Sequence, residues 1–393
     1  SPMSQDDAIR DWDDFWPKFN TSDAADQLEL ARTQVRKLDE FDGDWAAELI
    51  KQLAASLSET DQLGDVLELL EEIREAHPEA VASQEPWMTV KELVIRLQAD
   101  APVGDDLVAD IVEAMPQDPD TIFRALTVMM YHGLGEPMIE PMLSAWPDVA
   151  RDESVMPWAK RRFAWRALTL VLLDAVDADA DLDESDPDLW ERLGPLTVDE
   201  MRDSNERLIR HFAGRPDTSI DELEVDSGDL EALRDEVMMQ VATFTGWLRD
   251  EAGWTTGRSA LAFTVVDEFF RRTLTDRLSD GDRRYEADEL DEDVAAILDD
   301  ASLLVPSPDI VDAYLDVEYE HLLTSSHQGV TLITALDHWL DYLADRGVLS
   351  DDDAETLADA MSARLEGLVE RLELATDDRR LVQDLRDAVD LDE

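Results

Sequence analysis

Apolar residues recur every three or four positions along most of the chain, the spacing that places them on one face of an α-helix. Period-two alternation is nearly absent, and the most strand-like stretch, GVTLITAL at 329–336, lies in a helical context. The pattern therefore predicts an all-α protein. Helices are predicted over 22–39, 45–57, 60–76, 87–99, 104–115, 119–132, 136–146, 156–176, 197–213, 228–250, 256–278, 286–302, 308–324, 328–346, 351–374 and 377–390.

The helices of the first half pair naturally into hairpins. The apolar faces of the first helix in each pair begin near Leu30, Val66, Leu107 and Met138, at spacings typical of helix–turn–helix repeats. The spacing drifts and the units share no consensus, so an ordinary helical domain remains the alternative. We expect an irregular helical-hairpin array, similar to an α-solenoid. The longer helices of the second half predict an antiparallel helical bundle or a continued solenoid.

An acidic stretch, 174–190, separates the two halves. Its alternating aspartates suggest a calcium loop, but the sixth and twelfth positions counted from Asp177 hold Leu182 and Asp188 where an EF-hand needs Gly and Glu. A solvated connector is the better interpretation. The predicted regions are 1–3 as a cloning remnant ending at the native start Met3, 4–176 as helical hairpins, 177–190 as an acidic connector and 191–393 as long helices.

The charge composition indicates the salt concentration in which the protein is expected to work. The chain has 95 Asp and Glu against 34 Lys and Arg, a formal net charge of −61, and only five of the cations are Lys. Hydrophobic residues still make up 44% of the chain, enough for a packed core. At about 1 M salt the Debye length is roughly 3 Å, so neighbouring carboxylates hardly repel one another. The composition favours a salt-adapted (halophilic) protein of the cytoplasm, with hydrated inorganic cations at an acidic surface.

Several function classes lose support from the sequence. The absence of Cys excludes disulfides, thiolate metal sites and a cysteine nucleophile. We expect no membrane span, because no apolar run reaches 18 residues. We also expect no direct nucleic-acid binding, because no long basic stripe is present to displace counterions. The acidity itself says little about partners, because salt-adapted proteins have acidic surfaces whatever they bind.

The most unusual stretch is WAKRRFAWR at 158–166, which holds four cations and two tryptophans within nine residues. One interpretation is a central helix whose arginines pair with carboxylates of neighbouring helices. The other is a partner-binding or anion-binding patch, because Arg and Trp are enriched at interface hot spots. The candidate residues are Trp158, Lys160, Arg161, Arg162, Trp165 and Arg166.

Two pairs of a histidine and a carboxylate have the spacing of metal ligands on a helix. Glu318 and His321 form one Glu-x-x-His pair, and His338 and Asp341 lie one helical turn apart. A di-iron bundle needs two Glu-x-x-His pairs, and with 95 carboxylates one such pair is expected by chance. The sequence also lacks a phosphate-binding loop and a hydrolase nucleophile elbow. No catalytic residue, metal ligand or cofactor is therefore assigned.

These observations favour a non-catalytic protein-interaction or scaffold protein whose partner is another protein. The alternatives are an enzyme that uses carboxylates or a metal in a helical pocket, and a regulator that binds an anionic ligand through an arginine site.

Overall fold

The computed structural model contains nineteen α-helices and no β-strand in the part of the chain that it describes, which confirms the all-α prediction. The solenoid arrangement stays a prediction. The chain groups into two compact units, 1–125 and 126–393. The described residues are 12–37, 41–58, 60–179, 181–198, 201–220, 230–279, 291–300, 303–322, 326–376 and 378–389.

The first unit is a set of short helices around one apolar core. The core includes Phe15, Leu49, Leu69 and Met88, each fully buried. Its helices are α1 (Trp12–Asn20), α2 (Ala24–Lys37), α3 (Gly43–Leu57), α4 (Asp65–Ala76), α5 (Pro78–Ala82), α6 (Trp87–Gln98) and α7 (Asp105–Glu113). The division between the units falls within α8 (Pro119–Tyr131).

Ion pairs join α2 to α4 across a constant sequence interval. Arg32 bonds Glu68 at 3.1 Å and Arg36 bonds Glu72 at 2.9 Å, and both pairs span 36 residues. That interval equals the distance between Leu30 and Val66, where the apolar faces of these helices were predicted to begin. Two ion pairs with the same sequence separation therefore link α2 to α4, while a repeat ancestry of the hairpins stays a prediction.

The second unit holds the longer helices. Its helices are α9 (Gly135–Arg151), α10 (Pro157–Ala178), α11 (Pro187–Leu193), α12 (Arg202–Phe212), α13 (Leu230–Asp250), α14 (Thr256–Ser279), α15 (Glu292–Asp300), α16 (Pro308–Leu322), α17 (Ser326–Asp345), α18 (Asp351–Ala375) and α19 (Arg379–Ala388). The helix α14 packs against α9, α10, α13 and α17, while α17 also packs against α16, α18 and α19.

An aromatic cluster fills the centre of this unit. Trp339 of α17 is fully buried and donates its indole N–H to the Leu304 carbonyl at 2.8 Å. The rings of Phe244, Phe270 and Tyr342 surround it at centroid distances of 4.9 to 5.4 Å. The strand-like stretch 329–336 forms the most buried part of α17. Every residue of this stretch is buried, and a helix that is apolar all round lacks the polar face that marks a surface helix in a sequence.

Most predicted helices end within a few residues of the observed ones, and the exceptions have local causes. The helices α1, α5 and α11 were missed, because they are short, acidic or begin at a proline. The side chain of Asp42 caps α3 by accepting from the Trp45 N–H at 3.0 Å, so α3 begins two residues before the predicted helix. The predicted remnant at 1–3 lies outside the described residues, and the predicted connector 177–190 contains the start of α11.

Over the part of the chain that the structure covers, no helix combines the length and the apolarity needed to cross a bilayer.

Candidate functional site

Two histidines and one aspartate converge in the second unit. The Nε2 atoms of His132 and His327 lie 2.7 and 2.8 Å from the same oxygen, Oδ2 of Asp378. The three potential ligand atoms all lie within 4.8 Å of one another. The three side chains are partly exposed, between 9% and 14%. This is the only such group of His, Asp or Glu found among the described residues.

Each member of the His–His–Asp cluster is held at the end of a different helix. His132 directly follows α8, His327 lies in the first turn of α17, and Asp378 is the N-cap of α19. The other carboxylate oxygen of Asp378 accepts the Leu381 N–H at 3.3 Å, which fixes the aspartate in place. The helix ends therefore set the geometry of the cluster independently of any ligand.

The electrostatics favour a charged Asp378. Burial would raise the pKa of Asp378, but hydrogen bonds from His132 and His327 outweigh burial and hold the pKa below the usual range of an aspartate. The N-terminal ends of α17 and α19 add partial positive charge, which also stabilises a carboxylate. The cluster thus offers one anionic oxygen and two imidazole nitrogens.

A second network borders the cluster. The Tyr131 hydroxyl donates to Oδ2 of Asp384 at 2.5 Å, and Arg258 bonds the same oxygen at 3.0 Å. The Arg258 guanidinium lies over the rings of Tyr131 and Trp254, at 4.9 and 4.3 Å from their centroids. The Tyr131 ring contacts the ring of His327 edge-on at 5.1 Å. Burial raises the pKa of Tyr131, and the charge of Asp384 acts in the same direction.

A cavity lies beside this network. Gly133 and Gly257, the chain neighbours of His132 and Arg258, both line a cavity of about 340 Å³. Its lining is mostly polar and includes Arg249, whose guanidinium pairs with Asp177. This volume falls within the range of small-molecule sites.

The His–His–Asp cluster has the chemistry of a three-ligand metal site. Zinc binds His nitrogen at about 2.0–2.1 Å and carboxylate oxygen at about 2.0–2.2 Å. Two such ligands at 90–110° around a metal ion lie about 2.9–3.4 Å apart, so the observed 2.7 and 2.8 Å would need to open by only a few tenths of an ångström. Imidazole and carboxylate together suit zinc, iron, copper or nickel better than calcium or magnesium.

The segment proposed as a binding patch divides into an exposed and a buried part. Trp158 is 41% exposed, and Met156, which precedes α10, is 57% exposed. Arg161 and Arg162 are exposed, and no carboxylate of the described residues forms an ion pair with either. Lys160 donates to the Ala150 carbonyl at 2.9 Å.

The remaining two candidates face the interior. Arg166 is only 3% exposed and donates to the Thr127 hydroxyl at 2.9 Å. Burial lowers the pKa of Arg166 to about 9, with the nearby charge of Arg162 acting in the same direction. Trp165 is half-buried against the ring of Phe263, with 6.0 Å between the centroids. The six predicted site residues therefore do not form one surface.

The histidine pairs weighed from the sequence do not form the site. His338 Nδ1 lies 4.0 Å from Asp341 Oδ2, too far for a hydrogen bond. The side chains of Glu318 and His321 lie outside those that the structure describes. The residues that do converge, His132, His327 and Asp378, were missed because they are far apart in the sequence and no local motif connects them.

A separate network around His211 resembles the hydroxyl–histidine–aspartate triad of hydrolases in the order of its hydrogen bonds. His211 lies between the Thr243 hydroxyl at 2.8 Å and Asp217 at 2.9 Å. His211 is 0% and Thr243 2% exposed, however, so a substrate has no access to the hydroxyl. Arg207 closes the network with two hydrogen bonds to Asp217 at 2.8 and 3.1 Å. We interpret it as a stabilising link between α12 and α13.

Comparisons of the chain with protein-family models, with curated proteins and with solved structures found no match.

Proposed function

We propose that this protein binds a first-row divalent metal ion through His132, His327 and Asp378. The observation that carries the proposal is the convergence of two imidazole nitrogens and one carboxylate oxygen, brought together from three helix ends. An aspartate at a helix N-cap needs only backbone N–H partners, so two further histidines on one of its oxygens are not required for capping.

Three protein ligands leave coordination positions for water or a small molecule. That is the pattern of catalytic rather than structural zinc sites, and two histidines with one carboxylate are also the ligand set of non-haem iron enzymes. The polar cavity is lined by Gly133, the chain neighbour of His132, although none of the three proposed ligands lines it. The proposal corresponds to the metal-site alternative of the sequence analysis rather than to its scaffold prediction.

The proposed setting is a cytoplasm rich in salt. The support is compositional: the net charge of −61 and the five Lys among 34 cations. In such a medium acidic side chains bind hydrated cations loosely and without a fixed coordination geometry. A metal site must then rely on direct nitrogen coordination to be selective, which the two histidines supply.

Cobalt(II) provides the test, because its d–d bands are strong when the ion is held by a few protein ligands in a non-centrosymmetric site and weak for the hydrated ion held loosely by carboxylates. The purified chain in molar KCl is titrated with Co²⁺ and the bound ion is then displaced with Zn²⁺. We expect one Co²⁺ per chain with d–d bands that Zn²⁺ abolishes. His132→Ala and His327→Ala should each weaken binding by at least about tenfold.

His338→Ala is the matched control, since His338 lies against Trp247 and Trp254 outside the cluster. Circular dichroism verifies that each variant is folded. Equal Co²⁺ binding by the wild type and by His132→Ala would show that the histidines only donate hydrogen bonds to Asp378, and the proposal would fail.

One observation favours a second function, protein binding. Met156 and Trp158 are two of the four large apolar residues found exposed among the described residues, and Arg161 and Arg162 lie one turn further along α10. Exposed Trp beside Arg is typical of interface hot spots. The surface suits an acidic protein segment that also presents an apolar side chain, because bidentate Arg–carboxylate bonds and Trp burial persist where long-range attraction is screened.

Comparative capture tests this surface. Wild type and Trp158→Ser/Arg162→Gln are used as baits in native lysate held in molar KCl. A protein with an acidic, apolar-containing segment should be retained by the wild type and lost with the variant, and a synthetic copy of that segment should bind the wild type alone. Equal retention by both baits rules the surface out.

A further inference from the structure

A groove of the second unit lies between helices that do not carry the His–His–Asp cluster. An open groove of about 390 Å³ runs between α10, α13 and α14. One face of α14 provides most of its wall, at helical spacings of three and four residues. The lining residues are Trp165, Arg234, Thr264, Asp267, Glu268, Arg271, Arg272 and Thr275. None of them belongs to the His–His–Asp cluster.

The groove departs from the charge of the rest of the chain. Three of its eight lining residues are Arg and two are carboxylates, whereas acidic residues outnumber basic ones almost threefold in the whole sequence. One of the carboxylates, Asp267, already accepts from Arg271 at 2.9 Å. The lining residues thus carry one more guanidinium group than carboxylate groups, a local balance that favours an anionic ligand.

Two arginines of the groove, Arg234 and Arg271, have N–H groups without a strong acceptor. Arg234 donates one N–H to the Thr275 hydroxyl at 2.5 Å, but its buried Nε has no partner in the described structure. Arg271 directs Nη2 to the sulfur of Met238 at 3.2 Å, and a thioether is a weak acceptor. A phosphate or carboxylate oxygen would accept these N–H groups far better, because charge-assisted bonds to guanidinium are roughly twice as strong as neutral ones.

Asp267 is a poor permanent partner for Arg271. Burial raises the pKa of Asp267 to about 6, although the charge of Arg271 opposes that rise. Its side chain is only 13% exposed, so folding removes most of the water from around the carboxylate. The ion pair with a single arginine does not fully offset the free-energy cost of that desolvation. An incoming anion with more oxygens could take over Arg271 while Asp267 takes up a proton.

The groove also has an aromatic wall. Trp165 presents a partly exposed indole, one side of which packs near Phe263. A flat indole next to arginines is the combination with which proteins stack a base and hold its phosphate. We propose that this groove binds a phosphorylated aromatic ligand of the nucleoside monophosphate class, with the phosphate on Arg234 and Arg271 and the ring on Trp165.

Calorimetry with three probes tests the inference: adenosine 5′-monophosphate, adenosine and inorganic phosphate, each titrated into the full chain in molar KCl. We expect the monophosphate to bind at least about tenfold more tightly than either part. Arg234→Gln and Arg271→Gln should each weaken its binding by about tenfold or more, since each removes charge-assisted hydrogen bonds. Trp165→Leu should weaken the monophosphate but leave phosphate unchanged.

Two further variants keep the test independent of folding. Asp267→Asn removes the competing carboxylate and should tighten monophosphate binding, a gain that a misfolded protein would not show. Arg162→Gln, an exposed arginine of α10 that does not line the groove, should have no effect. Failure of the monophosphate to bind in the millimolar range, or binding that survives Arg234→Gln and Arg271→Gln, overturns the inference. The cobalt result at the His–His–Asp cluster is unaffected either way.

Discussion

A Cβ atom on Gly135 would lie 2.5 Å from the Cα atom of Gly257, so the first turns of α9 and α14 touch backbone to backbone. Gly135 follows His132 by three residues, and Gly257 directly precedes Arg258. The contact therefore fixes how closely the stretch of chain after His132 approaches the stretch before Arg258.

Replacing Gly135 by Ala should destabilise the protein. The added methyl group meets backbone atoms of Gly257, which cannot rotate away, so the helices must separate. Overpacking of this kind costs about 1–3 kcal/mol. Urea unfolding in molar KCl measures the loss. Gly367→Ala in α18 is the control: a Cβ there meets nothing within 4 Å, and the change should stabilise the helix by up to about 1 kcal/mol. Equal effects of the two variants would contradict the close contact.

The network of Arg207, Asp217 and His211 gives a prediction with a pH dependence. Hydrogen bonds from Arg207, and then from His211, lower the pKa of Asp217 against the effect of its partial burial. A carboxyl group whose pKa is lower in the folded state stabilises the protein above its unfolded pKa of about 3.9, and that stability disappears as the pH falls further. Asp217→Asn should therefore destabilise the protein fully at pH 7 and progressively less as the pH falls below about 4, and the difference should vanish only below the lowered pKa of the folded state.

The expected loss for Asp217→Asn at pH 7 is about 1–2 kcal/mol, because the side chain is a third exposed and solvent screens part of the interaction. Urea unfolding of wild type and variant between pH 3 and 7 measures it. Glu251→Gln, an exposed carboxyl group in the turn after α13, should change the stability little at any pH. A constant difference between wild type and Asp217→Asn across the range would show that the charge of Asp217 contributes nothing.

Asp267 should behave in the opposite way. Its pKa is about 6 in the folded protein and about 3.9 unfolded, so the folded state binds the extra proton between these values. Wild-type stability therefore rises as the pH falls from 7 towards 4. Asp267→Asn lacks this titration and should be more stable than wild type at pH 7 by about 1–3 kcal/mol, with the advantage vanishing near pH 4. Melting temperatures of wild type and variant at pH 7 and pH 4 test this prediction. A variant less stable than wild type at pH 7 would show that the ion pair between Asp267 and Arg271 stabilises the protein by more than the burial of Asp267 destabilises it.

The sequence predicted the helices well because helical periodicity is a local property. Leu28, Ala31 and Val35 of α2, for example, are buried at the spacing that their pattern requires. Helical spacing alone also places Trp158, Arg161 and Trp165 on one broad face of α10. The structure leaves Trp158 and Arg161 exposed and packs Trp165 near Phe263, because residues of other helices decide which part of a face is covered.

The candidate site could not be predicted in this way. His327 and Asp378 are 51 residues apart, and His132 precedes Asp378 by 246. None of the three stands in a motif, and the position of Asp378 as the N-cap of a short helix does not distinguish it, because Asp186 caps α11 in the same way. Their convergence depends on how α8, α17 and α19 pack, which is a long-range property.

The last prediction concerns salt. With a formal net charge of −61, the folded chain concentrates carboxylates that the unfolded chain spreads apart, so self-repulsion opposes folding. The Debye length falls from about 30 Å at 0.01 M salt to about 3 Å at 1 M, which removes most of that repulsion. We therefore expect the helical circular dichroism signal and the melting temperature to rise steeply with KCl. Sucrose strengthens burial without screening charge and should recover only a small part of the gain. Full helicity and an unchanged melt in 0.01 M KCl, or an equal gain in sucrose, would contradict the salt-adapted interpretation.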